Sequence, residues 1–281
     1  MMMTYHDFWH RLAQVYDERE AQAIARTVYD VRYGLSLADL LMGRDAAVPQ
    51  QELELLAARL EQQEPVQYVL GQADFCGRTF CVEPGVLIPR PETAELCRWV
   101  TAESSGFKFQ TSNFTVLDIG TGSGCIAVTL ALDLPGSRVT AWDVAPAALR
   151  VAARNAQRLG AAVTVVANDM LQQTCQVPPQ WHLIVSNPPY VCRSEATRMQ
   201  ANVLDYEPET ALFVPDDDPL RFYRPVMNYA RSALCPDGRL YLEVNPLYEE
   251  YIEERLLELG FGDVTARSDQ FGNTRFIKAT R

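Results

Sequence analysis

The hydrophobic positions of the chain follow two different patterns. Up to about Leu70, apolar residues recur at helical spacing, as in Phe8, Leu12 and Tyr16, which is the pattern of amphipathic helices. From Phe114 onward, short β-branched and apolar runs alternate with longer helical stretches. Strands that alternate with helices in this way indicate a doubly wound, mostly parallel sheet.

Seven runs in the second part of the chain have the length and composition of strands. The last two are joined through Gly272 and Asn273, so we expect them to form an antiparallel pair at the edge of the sheet. The predicted fold is therefore α/β, with a mostly parallel seven-stranded sheet and a small N-terminal helical domain. The predicted strands are 114–119, 138–144, 163–166, 181–185, 239–244, 262–268 and 275–280.

The same patterns divide the chain into three parts. Residues 1–72 are expected to form a helical bundle. In residues 73–91, aromatic residues and strand formers surround Gly77, which predicts a hairpin that serves as a linker. Residues 92–281 are expected to form the α/β domain. Arg90 lies between two prolines in the linker, and we expect it to brace the edge of a pocket.

Four of the predicted strands end in glycine or polar residues. They are followed by Gly120 and its neighbours, by Asp143, by Asn168 and Asp169, and by Asn187. In a doubly wound sheet, ligands bind outside the carboxyl ends of the strands, where the strand order reverses. We therefore expect these four strand ends to lie on one rim and to form the site.

The glycine loop after the first of these strands reads Gly120-Thr121-Gly122-Ser123-Gly124. Its third glycine comes one position too early for the dinucleotide fingerprint, and the chain has no Gly-Lys-Ser/Thr phosphate loop. With Asp118 before it, the spacing resembles the loop that holds S-adenosylmethionine in class I methyltransferases. Asp143 suits hydrogen bonding to ribose hydroxyls, although a simple strand-end cap is the alternative.

The last of these strands ends in Asn187-Pro188-Pro189-Tyr190. The prolines end the strand and carry no N–H, and Tyr190 supplies an aromatic wall. On its own, the quartet is equally consistent with a strand that ends in a proline turn. Beside a glycine loop, Asn187 Oδ1 and the Pro188 carbonyl could each accept one hydrogen of a planar NH2 group. Held in this way, the nitrogen would present its conjugated lone pair to a methyl donor.

Together these motifs resemble those of the release factor glutamine methyltransferase family, and the resemblance covers most of the chain. It is carried by segments 87–93, 117–124 and 186–190, and by Glu207-Pro208 with Ala211-Leu212. The resemblance implies methyl transfer from S-adenosylmethionine to the side-chain amide nitrogen of a glutamine. That glutamine would belong to the Gly-Gly-Gln loop of peptide chain release factors.

The resemblance also implies roles for parts of the chain. The N-terminal helical domain would dock the release factor, and residues 92–281 would be the S-adenosylmethionine-dependent domain. The catalytic residues would be Asn187, Pro188 and Tyr190, which with Pro189 would also bind the substrate. The cofactor would be bound by Gly120, Thr121, Gly122, Ser123, Gly124, Asp143, Asp169, Met170 and Asn187.

Three places depart from the family's pattern. Met170 stands where an aromatic residue is common, residues 213–219 are acidic and contain proline, and Val244-Asn245-Pro246 replaces a common His-Gly. None of the three is expected to touch the proposed chemistry. The acidic segment is expected to affect partner docking.

Charge and composition bear on the rival functions. The formal net charge is −11, and the sequence has no basic stripe, which argues against direct binding of nucleic acid. This weighs against methylation of an exocyclic amine in DNA or RNA, which is the first rival. The glycine spacing argues against a nicotinamide-dependent oxidoreductase, and a non-catalytic adaptor with the same fold is a further alternative.

The remaining features predict the location of the protein, the state of its thiols and whether it binds a metal. The apolar runs are shorter than a membrane span, and the N-terminus has no basic region that leads into an apolar core. We therefore expect a cytoplasmic monomer that does not bind membranes. The seven cysteines lack a Cys-x-x-Cys pair, which favours reduced thiols. His6 and His10 are one helical turn apart without a third ligand, so we expect a surface pair and no metal site.

Overall fold

The computed structural model describes residues 3–104, 114–173 and 177–281. The chain separates into two compact units. The first runs up to Gln72 and also includes Gln200–Tyr206, and the second comprises Ala73–Met199 and Glu207–Arg281. The sequence did not predict that a segment from the second half of the chain belongs to the first unit.

The N-terminal region of the first unit is helical, as predicted. Thr4 and Ser36 begin two of its helices with capping boxes, in which the side chain at the cap and the aspartate three residues later satisfy each other's backbone N–H. Phe8, Leu12 and Tyr29 are fully buried in its core. The helices are α1 (Tyr5–Leu12), α2 (Glu18–Tyr33), α3 (Leu37–Leu41), α4 (Gln50–Glu61) and α5 (Val66–Leu70).

The predicted hairpin is formed by β1 (Gln72–Phe75) and β2 (Arg78–Cys81). Its two-residue turn places Cys76 at φ 49° and Gly77 at φ 71°, as the primed hairpin turns require. Phe75 and Phe80 are buried in a core cluster of the second unit. The region for which the sequence predicted a linker is therefore packed into the second unit over most of its length.

The rest of the chain supplies the sheet and its helices, and only α9 of these elements belongs to the first unit. The helices are α6 (Pro91–Ser104), α7 (Cys125–Asp133), α8 (Pro146–Leu159), α9 (Ala201–Tyr206), α10 (Glu209–Leu212), α11 (Tyr223–Ala233) and α12 (Glu249–Glu258). The strands are β3 (Thr115–Ile119), β4 (Arg138–Asp143), β5 (Val163–Ala167), β6 (Trp181–Ser186), β7 (Val191–Cys192), β8 (Phe213–Val214), β9 (Leu234–Glu243), β10 (Gly262–Ser268) and β11 (Thr274–Thr280). Short 3-10 helices occur at Arg44–Ala47, Met170–Gln172, Arg193–Arg198 and Pro246–Tyr248.

Seven strands form the central sheet in the order β10-β11-β9-β6-β3-β4-β5. β10 pairs with β11 and β11 with β9 in antiparallel fashion, while the other neighbours are parallel. A hydrophobic core cluster packs on each face. The predicted fold class is confirmed, and β3 lies between β4 and β6, so the strand order reverses next to the glycine loop.

Two predicted helices differ from the structure at their starts. The sequence pattern over 219–234 predicts a helix from Pro219 onward, but α11 begins only at Tyr223. The pattern over 246–259 also predicts a helix, and this one begins with a 3-10 turn, in which Asn245 Oδ1 accepts a hydrogen bond from the Leu247 N–H at 3.1 Å. The parallel pair β7 and β8 was not predicted, since two-residue strands are too short to show a period.

Other expectations concern membrane spans, thiols and histidines. Within the described residues, every helix is too short or too polar to cross a membrane. The six described cysteines are free thiols, and Cys175 lies outside the described residues. His6 and His10 are exposed, with their Nε2 atoms 2.9 Å apart. The part of the chain that the structure describes contains no group of three side chains suited to a metal ion.

Candidate active site

A cavity of about 350 Å³ lies at the carboxyl ends of the central parallel strands, within the size range of small-molecule sites. The predicted convergence of the four strand ends is confirmed, because all of them contribute to its wall. Gly124 and Tyr190 are the predicted site residues that lie outside this lining. The predicted residues that line it are Gly120, Thr121, Gly122, Ser123, Asp143, Asp169, Met170, Asn187, Pro188 and Pro189.

The glycine loop depends on backbone conformations that favour glycine. Gly120, Gly122 and Gly124 have φ angles of 75°, 54° and 80°, in the left-handed region where a Cβ is strained. A Cβ on Gly124 would also lie 3.0 Å from both Cα and Cβ of Ala152. Gly124 therefore allows α7 to approach α8 closely, which explains why it lies behind the cavity.

Asp118 supports this loop from below. Its side chain is fully buried, and Oδ2 accepts hydrogen bonds from Thr121 Oγ1 at 2.5 Å and from the Ala127 N–H at 3.2 Å. Burial raises the pKa of Asp118 to about 7, although these two hydrogen bonds act in the opposite direction. Asp118 thus fixes the loop and the first turn of α7 without lining the cavity.

Asp143 ends β4 and lines the cavity. Its Oδ2 accepts a hydrogen bond from the Gly122 N–H and its Oδ1 accepts one from the Ala145 N–H, both at 2.9 Å. The strand-end cap considered from the sequence is therefore present. Each carboxylate oxygen has further acceptor capacity, so the cap leaves room for a contact with a ligand.

The end of β5 contributes three consecutive residues. Asp169 caps the following 3-10 turn through the Leu171 N–H at 2.9 Å, and Met170 is buried in the wall. Asn168 also lines the cavity, and its buried Oδ1 has no hydrogen-bond partner among the described residues. The sequence placed Asn168 on the rim but gave it no role, and its strand-end position was the available signal.

Asn187 is held by a chain of hydrogen bonds that leads into the protein. Its Nδ2 donates to Thr93 Oγ1 at 3.1 Å, and Thr93 Oγ1 donates to Glu243 Oε2 at 2.7 Å. Among the described residues, no donor bonds to Asn187 Oδ1 or to the Pro188 carbonyl. Two residues that line the cavity therefore carry an acceptor oxygen that no described donor engages, and their binding of a planar NH2 group stays a prediction.

Glu243 is the buried end of this chain, and it also holds Tyr190. The Tyr190 hydroxyl donates to Glu243 Oε1 at 3.1 Å. Burial raises the pKa of Glu243 to about 7, against the lowering effect of the hydrogen bonds from Thr93 and Tyr190 and the charge of Arg275. Burial also raises the pKa of Tyr190, so its hydroxyl remains a neutral donor.

One expectation about the departures from the family's pattern is wrong. Asn245 Nδ2 donates to the Tyr190 carbonyl at 3.1 Å and to Glu195 Oε2 at 2.9 Å. Asn245 therefore supports the backbone of the quartet from behind, because its long-range contacts fold it against a segment far away in sequence. The acidic segment 213–219 contacts the same region, since Asp216 Oδ1 accepts a hydrogen bond at 3.0 Å from the N–H of Ser194, the neighbour of Glu195.

Arg90 lies in the cavity wall, as predicted for a brace at the edge of a pocket. Its Nη2 is 2.5 Å from Glu207 Oε1, and the other oxygen of Glu207 accepts the Ile88 N–H at 3.0 Å. Glu207 is buried. The carboxylate therefore joins the segment with the two prolines to the start of the Glu207-Pro208 motif.

Comparisons with known proteins agree on a methyltransferase. The family model described as "Methyltransferase small domain" matches residues 107–205. The release factor glutamine methyltransferase of Bacteroides thetaiotaomicron is 44% identical over 274 residues, which cover 96% of each chain. The protein with the same name from Flavobacterium psychrophilum is 38% identical over 96% of this chain and 95% of its own length.

Solved structures give the same fold at low sequence identity. The human Mettl16 catalytic domain, solved in complex with an RNA hairpin, is 17% identical and superposes with a TM-score of 0.53. The match covers 82% of this chain and 81% of that chain. At this identity the likeness concerns the fold alone.

Proposed function

Since this chain belongs to the release factor glutamine methyltransferase family, we propose that it transfers a methyl group from S-adenosylmethionine to a glutamine side-chain amide nitrogen. The glutamine is that of the Gly-Gly-Gln motif of peptide chain release factors. The observation that carries the proposal is a pair of acceptors on residues that line the cavity, Asn187 Oδ1 and the Pro188 carbonyl, which no donor among the described residues engages. A primary amide has two N–H hydrogens, which match two acceptors.

The cavity fits the cofactor on three counts. The glycine loop offers backbone without Cβ atoms, and Asp143 offers carboxylate oxygens suited to ribose hydroxyls. Asn168 Oδ1 is a buried acceptor with no partner in the described part of the chain. The proposed cofactor residues are Gly120, Thr121, Gly122, Ser123, Asp143, Asp169, Met170 and Asn187. Gly124, also expected from the sequence to contact the cofactor, lies behind the cavity and shapes the loop. When bound, S-adenosylmethionine supplies an electrophilic methyl group on a positively charged sulfur.

The residues of the quartet prepare the acceptor nitrogen. An amide nitrogen is a poor nucleophile because its lone pair is conjugated with the carbonyl. Asn187 Oδ1 and the Pro188 carbonyl each accept one N–H of the glutamine, which holds the nitrogen in one orientation and favours pyramidalisation. Pro189 forms part of the apolar wall that keeps water away. Tyr190 lies outside the cavity lining, and its hydrogen bond to Glu243 holds its ring in place. The reaction needs no strong base in the protein if the proton leaves after transfer.

The docking surface, the location and the oligomeric state of the enzyme belong to the same proposal. The first unit docks the release factor, and its exposed apolar side chains Leu41, Met42 and Leu55 support this role. The protein acts as a cytoplasmic monomer without direct contact to nucleic acid or membrane, consistent with the net charge of −11. Comparing an intact release factor with a short Gly-Gly-Gln peptide as substrate separates docking from catalysis.

The test is incubation with S-adenosylmethionine and a release factor, followed by mass spectrometry of the Gly-Gly-Gln peptide. We expect one added methyl on the glutamine and none on a release factor in which alanine replaces that glutamine. DNA and RNA serve as parallel acceptors, and label found only in nucleic acid would refute the proposal.

Asn187→Ala tests the role of the clamp. We expect turnover to fall by about 10²- to 10³-fold, the usual cost of removing one preorganised hydrogen-bonding group. Cofactor affinity, measured by calorimetry, is expected to fall much less than turnover, because Asn187 is only one of several proposed cofactor residues. Survival of turnover in this variant would show that the clamp does not act as described.

A further inference from the structure

We infer that Thr93 and Glu243 are positioning residues that determine which end of the Asn187 amide faces the acceptor nitrogen. The inference rests on the proposed function, and it applies to any planar NH2 group that binds at this site. Thr93 and Glu243 are 2% and 1% exposed. Glu243 lies outside the cavity lining, whereas Thr93 is part of it. We assign both residues an effect through Asn187, because the hydrogen bonds lead from Glu243 through Thr93 to its side-chain amide.

The direction of the hydrogen bonds fixes the orientation of the amide. The two ends of an asparagine amide have the same shape, so their partners decide which end points where. The Thr93 hydroxyl has a single hydrogen, and it donates this hydrogen to a Glu243 carboxylate oxygen 2.7 Å away. Thr93 Oγ1 must then accept from Asn187, which turns Nδ2 toward Thr93 and leaves Oδ1 for the cavity.

The opposite orientation would block the reaction. A flipped Asn187 would present its own N–H hydrogens to the N–H hydrogens of the acceptor, so one hydrogen bond of the clamp would become a repulsion. The same carboxylate also holds the ring of Tyr190 outside the cavity lining, because its second oxygen accepts a hydrogen bond from the Tyr190 hydroxyl. One buried carboxylate thus sets both the amide orientation and the position of the ring.

Protonation of Glu243 would reverse the chain of hydrogen bonds. A protonated carboxyl can donate to Thr93, whose hydroxyl could then donate to Asn187 Oδ1 and favour the flipped amide. We therefore expect turnover to fall as the pH drops below about 7, where Glu243 takes up its proton. Among the described residues, five groups face Glu243 from the elements packed around it: Thr93 and Glu92 of α6, Tyr190 after β6, Arg275 of β11 and Tyr223 of α11. The Tyr223 hydroxyl donates a hydrogen bond to the Glu243 carbonyl at 3.2 Å.

Thr93→Val and Thr93→Ser form a matched pair of variants. Valine keeps the shape of the side chain but cannot accept from Asn187, whereas serine keeps the hydroxyl. For Thr93→Val we expect kcat to fall about tenfold, the factor that corresponds to one hydrogen bond of about 1.4 kcal/mol. The affinity for S-adenosylmethionine should stay unchanged in calorimetry, and Thr93→Ser should restore most of kcat.

Two further measurements separate positioning from simple support of the fold. The pH profile of kcat should fall below about pH 7 in the wild type and be flat in Glu243→Gln. The side-chain amide signals of Asn187 in a ¹⁵N correlation spectrum should shift in Thr93→Val and stay in place in Thr93→Ser.

The results have distinct meanings. If the wild-type protein methylates none of the release factors tested, the proposed function is refuted. The side-chain amide signals of Asn187 would still test the inference in that case. The inference would be overturned if Thr93→Val kept the kcat of the wild type, or if Thr93→Ser lowered kcat as much as Thr93→Val does. It would also be overturned if the Asn187 amide signals were the same in Thr93→Val and in the wild type. If Thr93→Val does not fold, Thr93→Ser and the pH profile of Glu243→Gln decide between the same outcomes.

Discussion

Asp118→Asn tests whether the buried carboxyl under the glycine loop resists ionisation. Burial raises the pKa of Asp118 from 3.8 to about 7. The folded state therefore binds this proton more tightly than the unfolded state does. The stability that follows is fully present below about pH 3.8 and is lost as the pH rises through about 7.

The size of the effect follows from the shift. A difference of about 3 pKa units corresponds to about 4 kcal/mol at alkaline pH, of which about 2 kcal/mol is lost between about pH 5.5 and about pH 8. The asparagine variant keeps an oxygen for Thr121 and for the Ala127 N–H but does not ionise. The free energy of unfolding of Asp118→Asn, relative to wild type, should therefore rise by about 2 kcal/mol over this pH range.

Urea denaturation of the cofactor-free protein at a series of pH values measures this difference. Tryptophan fluorescence reports mainly on the second unit, since Trp99, Trp142 and Trp181 belong to it and only Trp9 belongs to the first; Trp9→Phe removes that contribution. Asp217→Asn at an exposed site is the matched control. A difference between Asp118→Asn and wild type that stays constant from about pH 5.5 to about pH 8 would refute the reasoning.

Two other substitutions test the packing around the loop by the same denaturation assay. Gly124→Ala should lower the free energy of unfolding by about 3 kcal/mol or more, because it combines a left-handed φ with a Cβ 3.0 Å from Ala152. Gly160→Ala is the control, since this glycine is also left-handed but a Cβ there would meet no described atom within 4 Å. It should lower the free energy of unfolding by about 1 kcal/mol. Equal losses in the two glycine variants would contradict the packing argument. Asn155→Ala should cost about 2 to 3 kcal/mol, because it removes the partners of the Cys81 N–H and carbonyl at 2.7 and 3.0 Å.

The sheet could be predicted because each of its strands carries a local signal. The runs that form β3, β4 and β6 are apolar or β-branched and end in residues that stop a strand. The parallel arrangement then brings their carboxyl ends together, so the rim of the site followed from the order of elements. The start of α11 did not follow, since a proline is accepted in the first turn of a helix and position 219 satisfied that rule.

The parts of the site that escaped prediction are contacts between distant residues. Thr93 and Asn187 are 94 positions apart, and Thr93 and Glu243 are 150 apart. A pattern along the chain reports burial and period, but it does not report which buried polar groups meet. The interpretation of Asn245 as remote from the chemistry was wrong for the same reason, because its contact with Tyr190 arises only in the folded state.

The two sides of the site are built in different ways, and this difference predicts how they respond to change. The proposed cofactor side consists largely of backbone in conformations that require glycine, anchored by Asp118 and Asp143. The acceptor side depends on side chains that hydrogen-bond to Glu243 directly or through Thr93, and we infer that their orientation requires the ionised carboxylate. Changes in the loop should therefore appear mainly in cofactor affinity and stability. Changes in the chain from Asn187 to Glu243 should appear in kcat and in its dependence on pH.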